Sequence, residues 1–154
     1  MSQIPPDPNM QQIDLTTLTL PQLTQLKQQL DQELTLFQES LQSLKLAQNK
    51  FQSSGECLEK VTPESEGKSI LVPLTGSMYV PGKLANTKHV IIDIGTGYYA
   101  EQDIAGAKDY FKRKIAFVTE QMEKIQIIGL EKSKIRDTVA EVMEMKVQAQ
   151  AAQS

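Results

Sequence analysis

Three groups of residues in this 154-residue chain have types and spacings that chemistry could use. The first is Gly95-Thr96-Gly97-Tyr98-Tyr99-Ala100, a G-x-G-x-x-A pattern directly after the apolar stretch Val90-Ile91-Ile92-Asp93-Ile94. In a dinucleotide site such glycines turn a strand at once into a helix whose N-terminal amides hold a pyrophosphate. The second group is His89 and Cys57, the single His and the single Cys, as candidates for metal ligation or thiol chemistry. The third is the Tyr98-Tyr99 pair, whose rings could stack a base.

None of the three has the surroundings its chemistry requires. Tyr98 and Tyr99 stand where the helix should already run, and aromatics there favour another strand. The first good helix start is Asp103, ahead of Ile104-Ala105 and too late for the phosphate geometry. No strand pattern follows residue 103, so no second parallel strand completes the unit. The glycines read better as a hairpin connection needing positive φ. One His without cysteine partners makes no zinc pattern, and one Cys makes no internal disulfide, so both read as surface or packing residues. The tyrosines read as interface packing. No nucleophile stands beside a base, and most carboxylates keep helical spacing with basic residues. The chain is therefore read as no enzyme, with no catalytic residue, cofactor or metal.

Composition narrows the class further. The chain is 40% hydrophobic but only 5% aromatic, without Trp, which gives little bulk for a globular core and favours an elongated or partner-completed structure. Its charge of −3 and pI near 5.2 come without a basic cluster, so nucleic acid is not an expected partner. No apolar run approaches the ~20 residues of a membrane span, and MSQIPPDPNMQQ has neither the basic nor the apolar part of a signal peptide. A soluble, intracellular protein is expected.

The elements follow from punctuation and period. Residues 1–14, with Pro5, Pro6 and Pro8, read as a disordered leader. At Thr19-Leu20-Pro21-Gln22 the helix-start signals coincide: capping-box spacing, Pro in the first turn, and Leu18 and Leu23 as a hydrophobic staple. Leu23, Leu26, Leu30, Leu34, Phe37, Leu41, Leu44, Phe51 and Leu58 then trace a heptad seam with a four-residue stutter near Leu30. This predicts a coiled-coil helix within 15–62, ended at Val61-Thr62-Pro63 and roughly 60 Å long. A second predicted helix, 103–152, carries Ala107, Phe111, Ile115, Val118, Met122 and Ile125. After an irregularity around Ile128-Gly129, its seam resumes at Ile135, Val139 and Val142. Asp109 with Arg113 and Glu120 with Lys124 mark its solvated face. The economical arrangement is an antiparallel pair.

Between the helices, 63–102 reads as two β-hairpins. Ser69 to Leu74 and Met78 to Val80 flank Thr75-Gly76-Ser77, while His89 to Ile94 and Tyr98 to Gln102 flank Gly95-Thr96-Gly97. Pro81-Gly82 fits the centre of a turn between them, and Pro73 suggests an edge or a bulge. Two short hairpins bury little alone, so their apolar faces and edges ask for other subunits. The candidate assembly residues are Leu71, Val72, Leu74, Met78, Tyr79, Val80, Val90, Ile92, Ile94, Tyr98 and Tyr99. Ile92 and Tyr99 are expected to face a shared sheet or barrel.

The order helix, LVPLTGSMYVPGKL (Leu71 to Leu84), HVIIDIGTGYYAE (His89 to Glu101), helix resembles the α-class subunits of prefoldin from about Leu18 to Val147. The resemblance implies an α+β fold: a long antiparallel coiled-coil helical hairpin with two central β-hairpins that join an intersubunit β-barrel, all in one domain over 15–154. It implies a hexamer with one further α-class and four β-class subunits. It also implies ATP-independent capture of nonnative actin and tubulin chains for the cytosolic chaperonin, in the cytoplasm and also the nucleus. A longer leader than the family would suggest, and Gly129 within a rod, depart from the pattern. The reading in competition is a structural coiled-coil tether or adaptor, which would need no second hairpin.

For client binding, the apolar residues at the free helix ends are the candidates: Leu15, Leu18, Leu20, Leu23 and Leu26 on the first helix, and Val139, Val142, Met143, Met145 and Val147 on the second. Where a pair frays, apolar side chains lose cover, and Met adapts to varied partners. The same residues would also serve simply to close the coiled coil.

Overall fold

The computed structural model describes residues 14–154. Of the leader expected over 1–14, only Asp14 falls among them, and it is part of the fold. Its carboxylate accepts from the Thr16 amide at 3.0 Å and the Thr16 hydroxyl at 2.6 Å, capping a short 3-10 turn, Leu15–Thr17. Then follow α1 (Leu20–Leu58), a 3-10 turn (Pro63–Ser65), β1 (Ser69–Thr75), β2 (Met78–Lys83), β3 (His89–Gly95), β4 (Tyr98–Asp103) and α2 (Ile104–Ala152).

Both helix starts are the ones their caps specify. The Thr19 amide donates to Gln22 Oε1 at 2.9 Å and the Gln22 amide to Thr19 Oγ1 at 3.4 Å, a reciprocal capping box. Leu18 packs against the cluster holding Leu23, as a staple should. The α2 start is capped by Asp103, whose Oδ1 accepts from the Gly106 amide at 2.7 Å. The first helix is shorter than expected, ending at Leu58. Ser65 explains the stop: its hydroxyl donates to the Lys60 carbonyl at 2.8 Å and accepts from the Thr62 amide at 3.3 Å, redirecting the chain into the hairpins.

Two compact units form, one from Leu41–Lys124 and one from Ile125–Ser154 with the described residues up to Ser40. In the Leu41–Lys124 unit, α1 and α2 run antiparallel: Leu58 clusters with Ala107, Phe51 stacks obliquely on Phe111 at 6.4 Å, and the Gln48 amide donates to Thr119 Oγ1 at 2.8 Å. Gln48 and Gly55 fill the steps at which the apolar seam of α1 skips. A Cβ at Gly55 would lie only 3.7 Å from Phe111 Cβ, so the small residue admits the ring. The expected ion pairs are present, Arg113 with Asp109 at 2.8 Å and Lys124 with Glu120 at 2.9 Å.

In the other unit, Leu23 and Leu30 of α1 close on Val139 and Val142 of α2, with Leu15, Leu18, Leu26 and Met143 packed around them. The α2 seam departs from the expected one here. Ile135 is 42% exposed, whereas Gly129, Lys132 and Arg136 are half-buried, as is Ser133 next to Lys132. Gly129, Lys132 and Arg136 continue the spacing of Met122 and Ile125 unbroken, so the irregularity lies in residue type and not in the helix, which runs through Gly129. Long cationic side chains bury their stems and keep their heads wet, a role that a count of apolar residues overlooks.

The hairpins form two separate two-stranded antiparallel sheets, β1 with β2 and β3 with β4. Each shifts register next to its turn, between Pro73 and Thr75 and between Asp93 and Gly95. The bulge accommodates Pro73 as expected. Pro81-Gly82, by contrast, makes no turn: Pro81 pairs with Leu71 and Gly82 with Ile70 inside β2. A strand with a neighbour on one side only can hold a residue lacking N–H.

Candidate functional site

The G-x-G-x-x-A stretch caps a hairpin and not a strand-to-helix turn. Thr96 (φ 47°) and Gly97 (φ 80°) both take the left-handed conformation, as the two central residues of a type I′ turn require, and Gly95 (φ 114°) forms the bulge before them. Asp93 Oδ1 accepts from the Gly95 amide at 2.9 Å and ties the turn to β3. Among the described residues no group of three or more His, Cys, Asp or Glu could hold a metal, and no helix is long and apolar enough to cross a membrane. His89 starts β3 and Cys57 is exposed on α1.

What stands out instead is uncovered apolar sheet. Every residue of β1 is exposed, and so is all of β2 except the half-buried Gly82. By the alternation of side chains along a strand, Ile70 and Val72 share one face with Val80 and Gly82. A Cβ at Gly82 would meet the Val72 and Ile70 side chains at 3.5 and 3.9 Å, which fixes that face. Leu71 and Pro73 share the other with Tyr79 and Pro81. Both faces are therefore apolar and uncovered, with Leu71 at 67% exposure. Leu74 and Met78 beside the turn are exposed as well.

The second hairpin divides its faces. Ile92 (5% exposed) clusters with Leu58 and Ala107, and Val90, Ile104, Tyr110 and Phe111 pack around them. Ile92 and Val90 thus face this chain's own helices, where an intersubunit face was expected for them. Ile91 (73% exposed) and Tyr99 take the outward face, with Ile94 and Tyr98 uncovered near the turn. Nine of the eleven candidate assembly residues remain open, and Ile70 and Ile91 join them. Alternation puts Ile91 and Ile92 on opposite faces of the strand but does not say which of them turns outward.

The helix-end candidates separate in the same way. Leu23 and Val139 are fully buried and Val142 nearly so, while Leu15, Leu18, Leu20, Leu26 and Met143 are half-buried. All of these but Leu20 belong to the cluster that closes the helix pair within this chain. Only Met145 (58% exposed) and Val147 lie open. The same unit also exposes Leu36, Ile127, Ile128, Leu130 and Ile135, which the heptad reading passed over or placed inside.

That unit carries a charged layer across its seam. Lys132 donates to Glu33, and Arg136 approaches Asp31 at 3.8 Å while pairing with Asp137 at 2.9 Å. Lys27 binds Asp31 from the same helix at 2.8 Å. The Lys132 hydrogen bond, with a second from Gln29, holds the Glu33 carboxyl below its ordinary pKa. A depressed folded-state pKa means that the contribution is complete above the ordinary carboxylate value and is lost as pH falls through the folded one.

Comparison with known proteins agrees with the architecture. The chain matches the prefoldin family, described as prefoldin subunit, over residues 30–149. It is 51% identical to human prefoldin subunit 5 over 138 residues, covering 90% of each chain. It is 50% identical to the probable prefoldin subunit 5 of Drosophila melanogaster, covering 90% of this chain and 83% of that one. A filamentous prefoldin (PFD) from Methanocaldococcus jannaschii shares the fold at a TM-score of 0.68 and 20% identity, over 77% of this chain and 98% of that one.

Proposed function

This chain belongs to the prefoldin family as a subunit 5-like member, and from that premise we propose that it completes a cytoplasmic hexamer with one further α-class and four β-class subunits, which holds nonnative actin and tubulin chains without ATP and passes them to the cytosolic chaperonin. As a prefoldin subunit it is a co-chaperone and not an enzyme. The observation that carries the reading is the β1–β2 hairpin, apolar on both faces and uncovered by the other described residues of the chain. An isolated hairpin of this kind is marginal in water, and burying several such side chains at roughly 25 cal/mol per Å² supplies the drive to associate. A simple tether would have no use for it.

Co-expression with the other α-class subunit and the β-class subunits tests assembly: native mass spectrometry should show one discrete hexamer containing a single copy of this chain. Recovery of the chain as a stable monomer beside its would-be partners would sink the reading. Holding is tested by diluting denatured actin into the hexamer without nucleotide, where light scattering should stay low. Scattering equal to that of actin alone refutes client capture even if the hexamer forms.

A further inference from the structure

The second helix carries two candidate stripes where it passes the charged layer. One is Gly129, Lys132 and Arg136, half-buried; the other is Ile128 and Ile135, exposed. Each isoleucine precedes a seam residue by one position, so the stripes lie about 100° apart around the helix. Hydrophobic burial alone favours turning the isoleucines toward Leu30, Leu34 and Phe37, the apolar stripe of α1 on either side of Asp31 and Glu33 in sequence. Their exposure means that something outweighs that preference.

The charges flanking the α1 stripe supply it. Asp31 and Glu33 fall on opposite sides of the line through Leu30, Leu34 and Phe37, by helical spacing. Lys132 reaches Glu33 and Arg136 reaches toward Asp31, so the two cations on α2 bridge to both flanks at once. A single exposed pair adds little to stability, but several charges joined in one network add more, and a polar group at a seam position is a well-attested means of choosing one register over another. We infer that the Asp31–Glu33–Lys132–Arg136 layer is a rotational lock, which selects the facing stripe of α2 and keeps Ile128 and Ile135 exposed. The lock does not depend on which polypeptides the complex holds.

The test uses the full chain, co-purified with its partner subunits, in a Cys57→Ser background. Ile135→Cys reports the turned-out stripe and Val139→Cys the buried cluster, each through its rate of maleimide labelling. The thiol at position 135 should label rapidly and the thiol at position 139 slowly. Adding Asp31→Asn and Glu33→Gln unlocks the helix, so labelling at position 135 should fall roughly tenfold while position 139 stays protected. Exchanging the charges, with Asp31→Lys and Glu33→Lys beside Lys132→Glu and Arg136→Glu, should restore rapid labelling at position 135. The inference is overturned if the Asn/Gln variant labels at position 135 as fast as before, or if exchange fails to restore the rate. It is equally overturned if position 139 becomes reactive or helical circular dichroism is lost, because the layer would then hold the helices together and not choose between their faces.

Discussion

The two hairpins of this chain have the same topology, nearly the same strand lengths and a register shift at the same place, yet they meet solvent differently. The β3–β4 hairpin lays Val90 and Ile92 on its own helices and turns Ile91 and Tyr99 outward. The β1–β2 hairpin leaves both faces open. The difference is written in side-chain alternation. In β3 the polar Asp93 interrupts the outward face, as suits a half-buried sheet; in β1, Ile70-Leu71-Val72-Pro73-Leu74 is apolar throughout, the pattern of a strand covered on both sides. One hairpin packs an apolar face on this chain's helices, and the other leaves both of its apolar faces exposed.

Serine at Leu71 or at Val72, one on each face of β1, should produce the largest effect. Either change should abolish the hexamer on size exclusion while leaving the helical melt of the chain itself unchanged. If only one of them does so, β1–β2 is covered on one side, and the contrast with β3–β4 disappears. Next in size is Ile92→Ala, which should destabilise the chain by about 2–4 kcal/mol in chemical denaturation, because it opens a cavity among Leu58, Ala107 and Phe111. An unchanged denaturation midpoint with a lost hexamer would return Ile92 to the intersubunit face.

A smaller loss, about 1 kcal/mol, should follow Asp103→Ala, since β4 ends on the residue that caps α2. Amide exchange should quicken at Gly106 and leave β1–β2 untouched. The smallest effect should be a gain. Thr96 holds a left-handed φ that β-branched residues avoid, whereas Gly76 in the first hairpin's turn lies outside that region. Thr96→Asn should therefore raise stability by about 0.5–1 kcal/mol, read as a higher melting temperature. A fall instead would show that the threonine side chain makes a contact that outweighs its backbone strain.

Much of this was legible in the sequence wherever a local interaction decides the structure. The capping box at Thr19 and Gln22, the Asp103 cap, the bulge at Pro73 and the glycine turn at Gly95 to Gly97 each depend on residues a few positions apart. What escaped depends on distant partners. Pro81-Gly82 reads as a turn until β1 is seen beside it, at an edge that tolerates proline. Ile92 and Ile91 are chemically alike, and only the packing against Leu58 says which one faces inward. Ile135 looks like seam because apolar residues usually are, but Lys132 and Arg136 reach acids that lie about a hundred positions earlier in the chain.

The open β1 strand also bears on how much of this protein a cell can tolerate. A newly made copy without partners presents unpaired backbone amides beside a run of aliphatic side chains, the surface on which identical strands stack into insoluble fibrils. Pro73 breaks that run in the middle, withholding one donor and bending the strand at the bulge. A proline in that position is expected to hinder such stacking. A copy whose β1–β2 hairpin is left uncovered is therefore expected to aggregate more readily than one in which it is buried.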